Sequence, residues 1–276
     1  MEVEWLPRSA SLRNYPQLFA ASFSFLLSVT YIIFRGCCVL GARSQRFRNR
    51  RHAGALLGAM LQELEAVNPL VLGLLRGGIP VASEVARALK APLDVWLVRK
   101  LGVPGQTELA FGAIAEGGVQ VINQKVVKQQ RLDKDRIQQI SRQQHQELSR
   151  RAQIFRIGRP PAPIKDRTIF LIDDGLATGA SMRAAIRALT YRQPREIVPA
   201  VPVAPSRTIA ELRSNSVSVS DDLEDAPANL VSQVVALFSP SPFWGVGAWY
   251  DDFRQISDSE VVRLLAAHAH SDGTVQ

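Results

Sequence analysis

The chain has 276 residues and a hydrophobic fraction of 46%, enough for one large globular domain or two small ones. Its formal net charge of +8 predicts affinity for anions. The arginine-rich stretches 43–51 and 142–159 lack the interleaved aromatic residues of nucleic-acid-binding segments, so we interpret them as solvated helix faces and expect no nucleic-acid partner. The two cysteines, Cys37 and Cys38, are adjacent, which excludes a disulfide framework and fits a reducing, cytoplasmic compartment.

Residues 1–46 form an N-terminal extension, within which residues 18–34 are the most apolar uncharged run of the chain. This run is slightly shorter than the ~20 residues that span a bilayer, and the arginines after it would leave the rest of the chain in the cytoplasm. Two interpretations stay open, a membrane tether through residues 18–34 and an extension without function. Glu2 and Glu4 argue against a cleavable signal peptide.

Residues 47–267 alternate short apolar runs with helical stripes, which predicts an α/β fold with an open parallel sheet covered on both faces. Strands are predicted at 70–75, 93–98, 168–172, 196–203 and 231–238. Helices are predicted at 50–65, 79–89, 132–155, 182–189, 206–212 and 258–267. The remaining predictions are a hairpin at 111–122 with its turn at 116–118, a polar surface loop at 214–228 and an uninformative tail at 268–276.

Two of the predicted strands end in residues that suit a phosphate ligand. Arg76, Gly77 and Gly78 follow the first strand and lead into a helix. Arg99 and Lys100 follow the second strand, at the mouth of an α/β crevice, where ligands bind in such folds. Paired cations suit the oxygen atoms of a pyrophosphate group.

The central motif, IFLIDDGLATGAS at 169–181, joins a buried strand to a helix. Two adjacent carboxylates, Asp173 and Asp174, end the strand, and a turn of small residues follows. Backbone N–H groups at a helix N-terminus bind anions, and glycine lets a ligand approach the main chain closely. An ordinary turn has little reason to place two carboxylates side by side at the end of a buried strand, where they repel each other. The motif therefore predicts a phosphate-binding turn.

This motif resembles the 5-phosphoribosyl-1-pyrophosphate (PRPP) signature of the type I phosphoribosyltransferases, and the resemblance covers residues 47–267. It implies a five-stranded core with a small hood, and a Mg²⁺-dependent transfer of the 5-phosphoribosyl group from PRPP to a nitrogenous acceptor. The implied acceptor is a nucleobase, as in nucleotide salvage, and pyrophosphate is released. Mg²⁺ would bridge substrate oxygens, with no protein ligand beyond Asp173 and Asp174.

The resemblance also implies roles for individual residues. Asp173 and Asp174 would bind the ribose hydroxyls and assist the charge that builds up at the anomeric carbon. The 5-phosphate would be held by Ala177, Thr178, Gly179, Ala180 and Ser181. The pyrophosphate would be held by a turn that often contains a cis peptide, and by the two cations of the next strand: Leu75, Arg76, Gly77, Gly78, Arg99 and Lys100.

Residues 101–115 correspond to a loop that closes over the site in the resembled family. The three glycines and one proline there fit a mobile lid that excludes water. Bacterial members carry Asn and Pro where this chain has Gln106 and Thr107, while Glu108 is shared and belongs to the implied catalytic set. The resemblance thus implies a closing lid, and Gln106 and Thr107 are its departures from the pattern that sets loop rigidity and substrate contacts in the family.

Residues 243–253 concentrate aromatic side chains and resemble the hood of the family. The resemblance implies that Trp244 stacks on the acceptor base and that Asp251 lies near the edge of that base. The alternative is that these aromatic residues only cover the edge of the sheet. His145, in the predicted helix 132–155, is interpreted as a half-buried helix residue without a catalytic role.

Two other functions stay open from the sequence. One is a non-catalytic regulator that binds PRPP and turns nothing over, and the other is a membrane-tethered interaction protein built on an inert fold. The sequence contains no Cys–His or Ser–His–Asp arrangement and no zinc-ligand spacing. The expected partners are PRPP and a small nitrogenous acceptor, with a homodimer left open.

Overall fold

The computed structural model describes residues 30–34, 37–41, 46–156, 158–215 and 230–269. Side chains are described from residue 46 onward, except those of residues 107, 108, 215 and 269. The apolar run at 18–29, most of the predicted loop 214–228 and the tail from 270 onward therefore lie outside the described residues.

The described residues form ten strands and seven α-helices. The strands are β1 Thr30–Phe34, β2 Cys37–Gly41, β3 Leu70–Leu74, β4 Leu93–Trp96, β5 Val98–Val103, β6 Gln106–Ala115, β7 Val119–Ile122, β8 Thr168–Ile172, β9 Glu196–Val203 and β10 Val235–Phe238. The helices are α1 Arg50–Leu61, α2 Gly78–Leu89, α3 Gln124–Gln129, α4 Lys134–Phe155, α5 Ala180–Thr190, α6 Ser206–Asn215 and α7 Asp258–Ala269.

The main sheet has seven strands in the order β1-β2-β10-β9-β8-β3-β4. Strands β10, β9, β8, β3 and β4 are mutually parallel, which confirms the predicted α/β fold and its five-stranded core. At one edge, β2 is parallel to β10 and β1 pairs with β2 in the antiparallel direction. The end of the predicted apolar run thus lies in a strand rather than in a spanning helix. Within the described ranges, no helix is both long and apolar enough to cross a membrane.

Two hydrophobic cores cover the faces of this sheet. Successive residues of β8 alternate between them, because neighbouring side chains of a strand point to opposite faces. Helices α1, α2 and α7 contribute to one core through residues such as Leu57, Val85 and Leu264. Helices α5 and α6 contribute to the other through Met182 and Leu212. Both β3 and β8 are buried along their whole length, so their carboxyl ends form a rigid base for the turns that follow.

A second sheet, antiparallel and three-stranded, consists of β5, β6 and β7. It confirms the hairpin predicted at 111–122, with Gly117 and Gly118 at positive φ in its turn. Residues 101–115 form the end of β5 and all of β6 rather than an irregular loop, and their closure over the site stays a prediction. Glycine lets the strands pack closely here, because a Cβ at Gly112 would lie 2.2 Å from the carbonyl oxygen of Val121.

Helix α4 packs on β5 and β6 and is fixed at both ends. At its start, the N-cap Asp133 accepts a hydrogen bond from the backbone N–H of Arg136. Just after its end, the largely buried Arg156 donates to the carboxylates of Asp94 in β4 and Glu116 after β6. These bonds tie α4 to both sheets, so one side of the helix faces the space between them.

Candidate active site

The acidic pair lies at the carboxyl end of the central strand β8. Asp173 accepts a hydrogen bond at Oδ1 from the backbone N–H of Asp174, at 2.9 Å. Burial raises the pKa of Asp173 well above its usual range, and the neighbouring charge of Asp174 adds to this effect. Burial also raises the pKa of Asp174, although the charge of Arg50 opposes that shift. The two carboxyl groups are therefore held in a poorly solvated position, where nearby positive charge has a large effect.

Arg50, at the start of α1, is the partner of the second carboxylate. Its Nε lies 2.7 Å from Oδ2 of Asp174, and the two side chains are only 9% and 15% exposed. The guanidinium carbon lies 3.9 Å from the centre of the Phe253 ring, and Nη1 donates to the backbone oxygen of Arg254 at 2.9 Å. The hydroxyl of Tyr250 donates to the backbone oxygen of Asp174 at 2.6 Å.

The interpretation of the stretch 43–51 as a solvated helix face is therefore wrong for Arg50. No signal in the sequence could identify it, because Arg50 and Asp174 are separated by 124 residues and Arg50 has arginines on both sides. Only the packing of α1 and the 246–254 segment around the acidic turn distinguishes this arginine from Arg48 and Arg51.

The predicted pyrophosphate turn after β3 abuts the acidic pair. The Leu75–Arg76 peptide is cis, the feature that the resemblance implied. A Cβ at Gly77 would lie 1.9 Å from Oδ2 of Asp174, and a Cβ at Gly78 would lie 2.7 Å from a β8 backbone oxygen. The absence of side chains at these two positions is what lets the two turns meet. Arg76 itself is partly exposed and lies 3.4 Å from a carboxylate oxygen at the start of α7.

The predicted 5-phosphate turn is built by bonds to neighbouring elements. The backbone N–H of Leu176 donates to the end of β9, and Thr208 of α6 donates to the backbone oxygen of Ala177 at 2.7 Å. Gly179 has φ +71° and is the N-cap of α5. Because first-turn N–H groups of a helix lack intrahelical partners, the start of α5 can bind an anion there.

A cleft of about 520 Å³ lies beside these turns, bounded by β4, β5, α4 and α5. Residues from three predicted groups meet there: the pyrophosphate turn, the acidic pair and the 5-phosphate turn. The two cations of β5 lie there as well. The members that line the cleft are Leu75, Arg99, Lys100, Asp173 and Ser181. Residues that the sequence did not single out complete the walls, among them Trp96, Ile140, Gln144 and Arg151.

Arg99 and Lys100 reach this cleft from an unexpected element. They were predicted at the end of a parallel strand, but they lie inside β5 of the antiparallel sheet, because β4 already ends at Trp96. Nε of Arg99 donates to the side-chain oxygen of Gln144 at 2.8 Å. Burial lowers the pKa of Arg99, and the positive charge of Arg151 lowers it further. Glu108 belongs to β6, and its side chain lies outside the described part of the chain.

The predicted base-binding residues do not line the cleft. Trp244 is 80% exposed on the connection after β10, and Asp251 lies 3.8 Å from Arg46 in an exposed ion pair. The aromatics nearest the site cover the protein interior, since Tyr250 is 3% exposed and packs against Phe47 with ring centres 5.2 Å apart. The roles of Trp244 and Asp251 stay predictions.

His145 lies where the sequence analysis predicted, as a half-buried residue of a helix. Its Nε2 lies 3.3 Å from the side-chain oxygen of Gln120 in β7, and neither residue belongs to the cleft lining. The half-buried surroundings of the ring agree with a structural position on α4.

A family model of the phosphoribosyl transferase domain matches residues 48–232. The chain belongs to this family. It is 44% identical over 226 residues to two Mycobacterium tuberculosis proteins named as phosphoribosyl transferases, one from strain CDC 1551 and one from strain H37Rv. These matches cover 82% of this chain and 47% of each relative, so the chain spans about half the length of the curated relatives it matches. The crystal structure of TT1426 from Thermus thermophilus is also similar, with 42% identity, a TM-score of 0.70, and coverage of 81% of this chain and 99% of that one.

The oxygen donors of this phosphoribosyl transferase domain suit Mg²⁺ carried by a substrate. In the part of the chain that the structure describes, no three or more His, Cys, Asp or Glu residues are grouped so as to hold a metal ion. The acidic turn offers instead two adjacent carboxylates, that of Asp173, which lines the cleft, and that of its neighbour Asp174. Mg²⁺ is commonly bound by one or two carboxylates together with substrate phosphates and water. The residues present therefore fit an ion that is shared with phosphate oxygens.

Proposed function

We propose that this protein catalyses the Mg²⁺-dependent transfer of the 5-phosphoribosyl group from PRPP to a nitrogenous acceptor, in particular a nucleobase, with release of pyrophosphate. The observation that carries the proposal is the contact between two glycine-containing turns. Gly77 leaves room for a carboxylate of the acidic pair, and the adjoining cleft contains Arg99, Lys100 and the start of α5. PRPP carries phosphate groups at both ends of a ribose. Its two anionic ends match the cations of β5 and the start of α5, and its ribose matches the acidic pair.

In the proposed complex, each part of the donor faces one element. The 5-phosphate accepts hydrogen bonds at the start of α5, around Gly179 and Ser181. The pyrophosphate lies between the turn after β3 and the cations of β5. The ribose lies over Asp173 and Asp174, which accept hydrogen bonds from its hydroxyl groups. Mg²⁺, when bound through substrate oxygens, would neutralise the charge that gathers on the leaving pyrophosphate.

The proposed chemistry is a displacement at the anomeric carbon. The bond from this carbon to a pyrophosphate oxygen breaks, and a bond from the acceptor nitrogen forms through an oxocarbenium-like transition state. The burial that raises the pKa of Asp173 and Asp174 also excludes water, so a positive charge developing nearby interacts strongly with their ionised forms. The site thus acts by positioning and by electrostatic complementarity, with no covalent intermediate.

The acceptor would enter from the side of the 239–257 segment. We propose that Trp244 stacks on it and that Asp251 reads its edge. The exposure of Trp244 supports this proposal, because a large aromatic surface is available for a ligand.

Pyrophosphate release tests the proposal. The full chain is incubated with PRPP, Mg²⁺ and a panel of purine and pyrimidine bases, and a coupled assay follows pyrophosphate. Asp174→Asn should lower kcat/KM by about 100-fold or more, the usual effect of removing one preorganised charged group. Asp166→Asn is the matched control, because Asp166 is exposed at the opposite end of β8 and tolerates Asn at its positive φ.

Three outcomes are informative. Turnover that Asp174→Asn abolishes and Asp166→Asn preserves supports the proposal. Equal activity of Asp174→Asn and the unmutated chain contradicts the site assignment. Tight PRPP binding in calorimetry without turnover on any base of the panel identifies a PRPP-binding regulator instead of a transferase.

A further inference from the structure

We propose that Arg151 of α4 is an additional pyrophosphate-binding residue, so that α4 is a wall of the PRPP site rather than only a solvated helix. The proposal rests on the proposed function and extends it to a residue outside the sequence motifs. It follows from the position of one face of α4, from the bonds that hold Arg151, and from the charges next to it.

One face of α4 lines the cleft. Ile140, Gln144 and Arg151 all border it and are spaced by four and seven residues, which places them on the same side of an α-helix. The next side chain to Arg151, that of Arg150, is 56% exposed, whereas that of Arg151 is 26% exposed. The two adjacent arginines are thus in different surroundings, and only Arg151 borders the cleft.

Glu147 holds the side chain of Arg151 in position. Its carboxylate accepts from Nε of Arg151 at 2.8 Å and from Arg150 at 2.8 and 3.0 Å. These hydrogen bonds lower the pKa of Glu147 to about 2, so it stays ionised at neutral pH. Because the bond to Glu147 uses Nε, the terminal Nη1 and Nη2 groups of Arg151 can donate to a ligand. An anchored guanidinium is suited to paired phosphate oxygens.

The excess of positive charge in the cleft favours an anionic ligand. Among the residues whose side chains the structure describes, those that line it with a charge are Arg99, Lys100, Arg151 and one acidic residue, Asp173. Burial lowers the pKa of Arg99 and the nearby charge of Arg151 lowers it further, with Glu147 opposing, as expected of like charges that are close and partly desolvated. A ligand with several negative charges removes this repulsion, and pyrophosphate is the part of PRPP that carries them.

The adjacent arginines provide a matched pair of variants. Arg151→Gln and Arg150→Gln each remove one cation and one partner of the same Glu147, but only the first replaces a side chain that lines the cleft. Calorimetry with Mg²⁺-pyrophosphate and with Mg²⁺-PRPP gives the two dissociation constants for each protein. We expect Arg151→Gln to weaken pyrophosphate binding about 10- to 100-fold, the usual effect of losing hydrogen bonds to a charged group. Arg150→Gln should change it less than about twofold.

Arg151→Lys is the second variant. It keeps the positive charge but loses the planar fork, so its affinity for pyrophosphate should lie between those of the unmutated chain and Arg151→Gln. Urea unfolding of all three variants checks that each is folded, and Arg151→Lys replaces Arg151→Gln in the comparison if the latter is not.

The outcomes separate this inference from the function on which it rests. If the unmutated chain binds PRPP and pyrophosphate, and both constants of Arg151→Gln match those of Arg150→Gln, the role of Arg151 is refuted and the proposed function stands. If the unmutated chain binds neither ligand, both proposals are refuted. A loss of affinity for both pyrophosphate and PRPP in Arg151→Gln, which Arg150→Gln does not show, supports the inference.

Discussion

The ion pair between Arg50 and Asp174 should govern both the stability of the fold and the charge of the acidic turn. Arg50→Met keeps a long unbranched stem and removes the guanidinium, so the carboxylate loses its partner. Arg51→Met is the matched control, because Arg51 is the next residue of α1 and its side chain is exposed. The comparison therefore isolates the buried charge from the general effect of replacing an arginine in this helix.

The magnitude follows from the burial of the pair. Side-chain exposures of 9% and 15% place both charges in poorly solvated positions, where solvent screens them little. Removing one partner of such a pair costs about 3–5 kcal/mol, because the remaining charge stays buried without compensation. Arg50→Met also loses the contact with the Phe253 ring and the bond to the Arg254 backbone. We expect a decrease of about 3 kcal/mol in the free energy of unfolding near neutral pH, against less than about 0.5 kcal/mol for Arg51→Met.

The dependence of the unfolding free energy on pH gives a second test of the ion pair. Burial raises the pKa of Asp174 and Arg50 lowers it, so the pKa of this carboxyl group rises further in Arg50→Met. A carboxyl group whose pKa is higher in the folded state stabilises the fold fully below its unfolded pKa. That contribution is lost as the pH rises through the folded pKa. The deficit of Arg50→Met should thus grow as the pH rises from the unfolded pKa of the carboxyl group towards neutral pH.

Urea unfolding followed by circular dichroism measures these differences at each pH. In an Asp174→Asn background, Arg50→Met should cost much less, since no carboxylate is left to be desolvated. The reasoning is refuted if Arg50→Met and Arg51→Met unfold at the same urea concentration at every pH, or if the deficit of Arg50→Met shrinks as the pH rises.

Two further predictions concern neighbours of this pair. Asp173→Asn should raise the free energy of unfolding near neutral pH by about 0.5–2 kcal/mol while abolishing activity, because burial and the Asp174 charge raise the pKa of Asp173. In urea unfolding, this gain in stability should fade as the pH drops toward the unfolded pKa of the carboxyl group. A gain that stays constant with pH would contradict this cause. Gly77→Ala should cost about 1–3 kcal/mol, because its Cβ would lie 1.9 Å from Oδ2 of Asp174 although φ −64° and ψ −29° suit alanine. Gly102→Ala, with its nearest neighbour 4.0 Å away, should unfold at nearly the urea concentration of the unmutated chain.

The elements of the core could be predicted from the sequence because their signals are local. β8 reads as a β-branched threonine followed by four apolar residues, and it is buried along its whole length. The acidic pair and the small residues after it lie within one short stretch, so their arrangement as a strand–turn–helix unit needed no distant partner. The same holds for the hairpin at 111–122, whose turn is marked by two consecutive glycines.

The errors came from residues whose surroundings are distant in the chain. The glycines of 101–115 were interpreted as part of a mobile lid, but Gly112 pairs with Ile122 in β7, and a Cβ at Gly112 would meet the carbonyl oxygen of Val121. Only the pairing of β6 with β7 shows why glycine is required there. Arg50 and Arg151 each lie among other arginines that face solvent. Amino-acid composition does not distinguish Arg50 and Arg151 from the arginines around them, although both face the site.

The sequence by itself determined the fold class, the strand that carries the acidic pair and the two turns that we assign to PRPP. These follow from periodicity and from backbone rules that act over a few residues. The tertiary structure decided which cations reach the site, by pairing Arg50 with Asp174 and by setting α4 against β5. The reason is that the effect of a charge depends on its partner and on its exclusion from water, and both are properties of chain segments far apart in sequence.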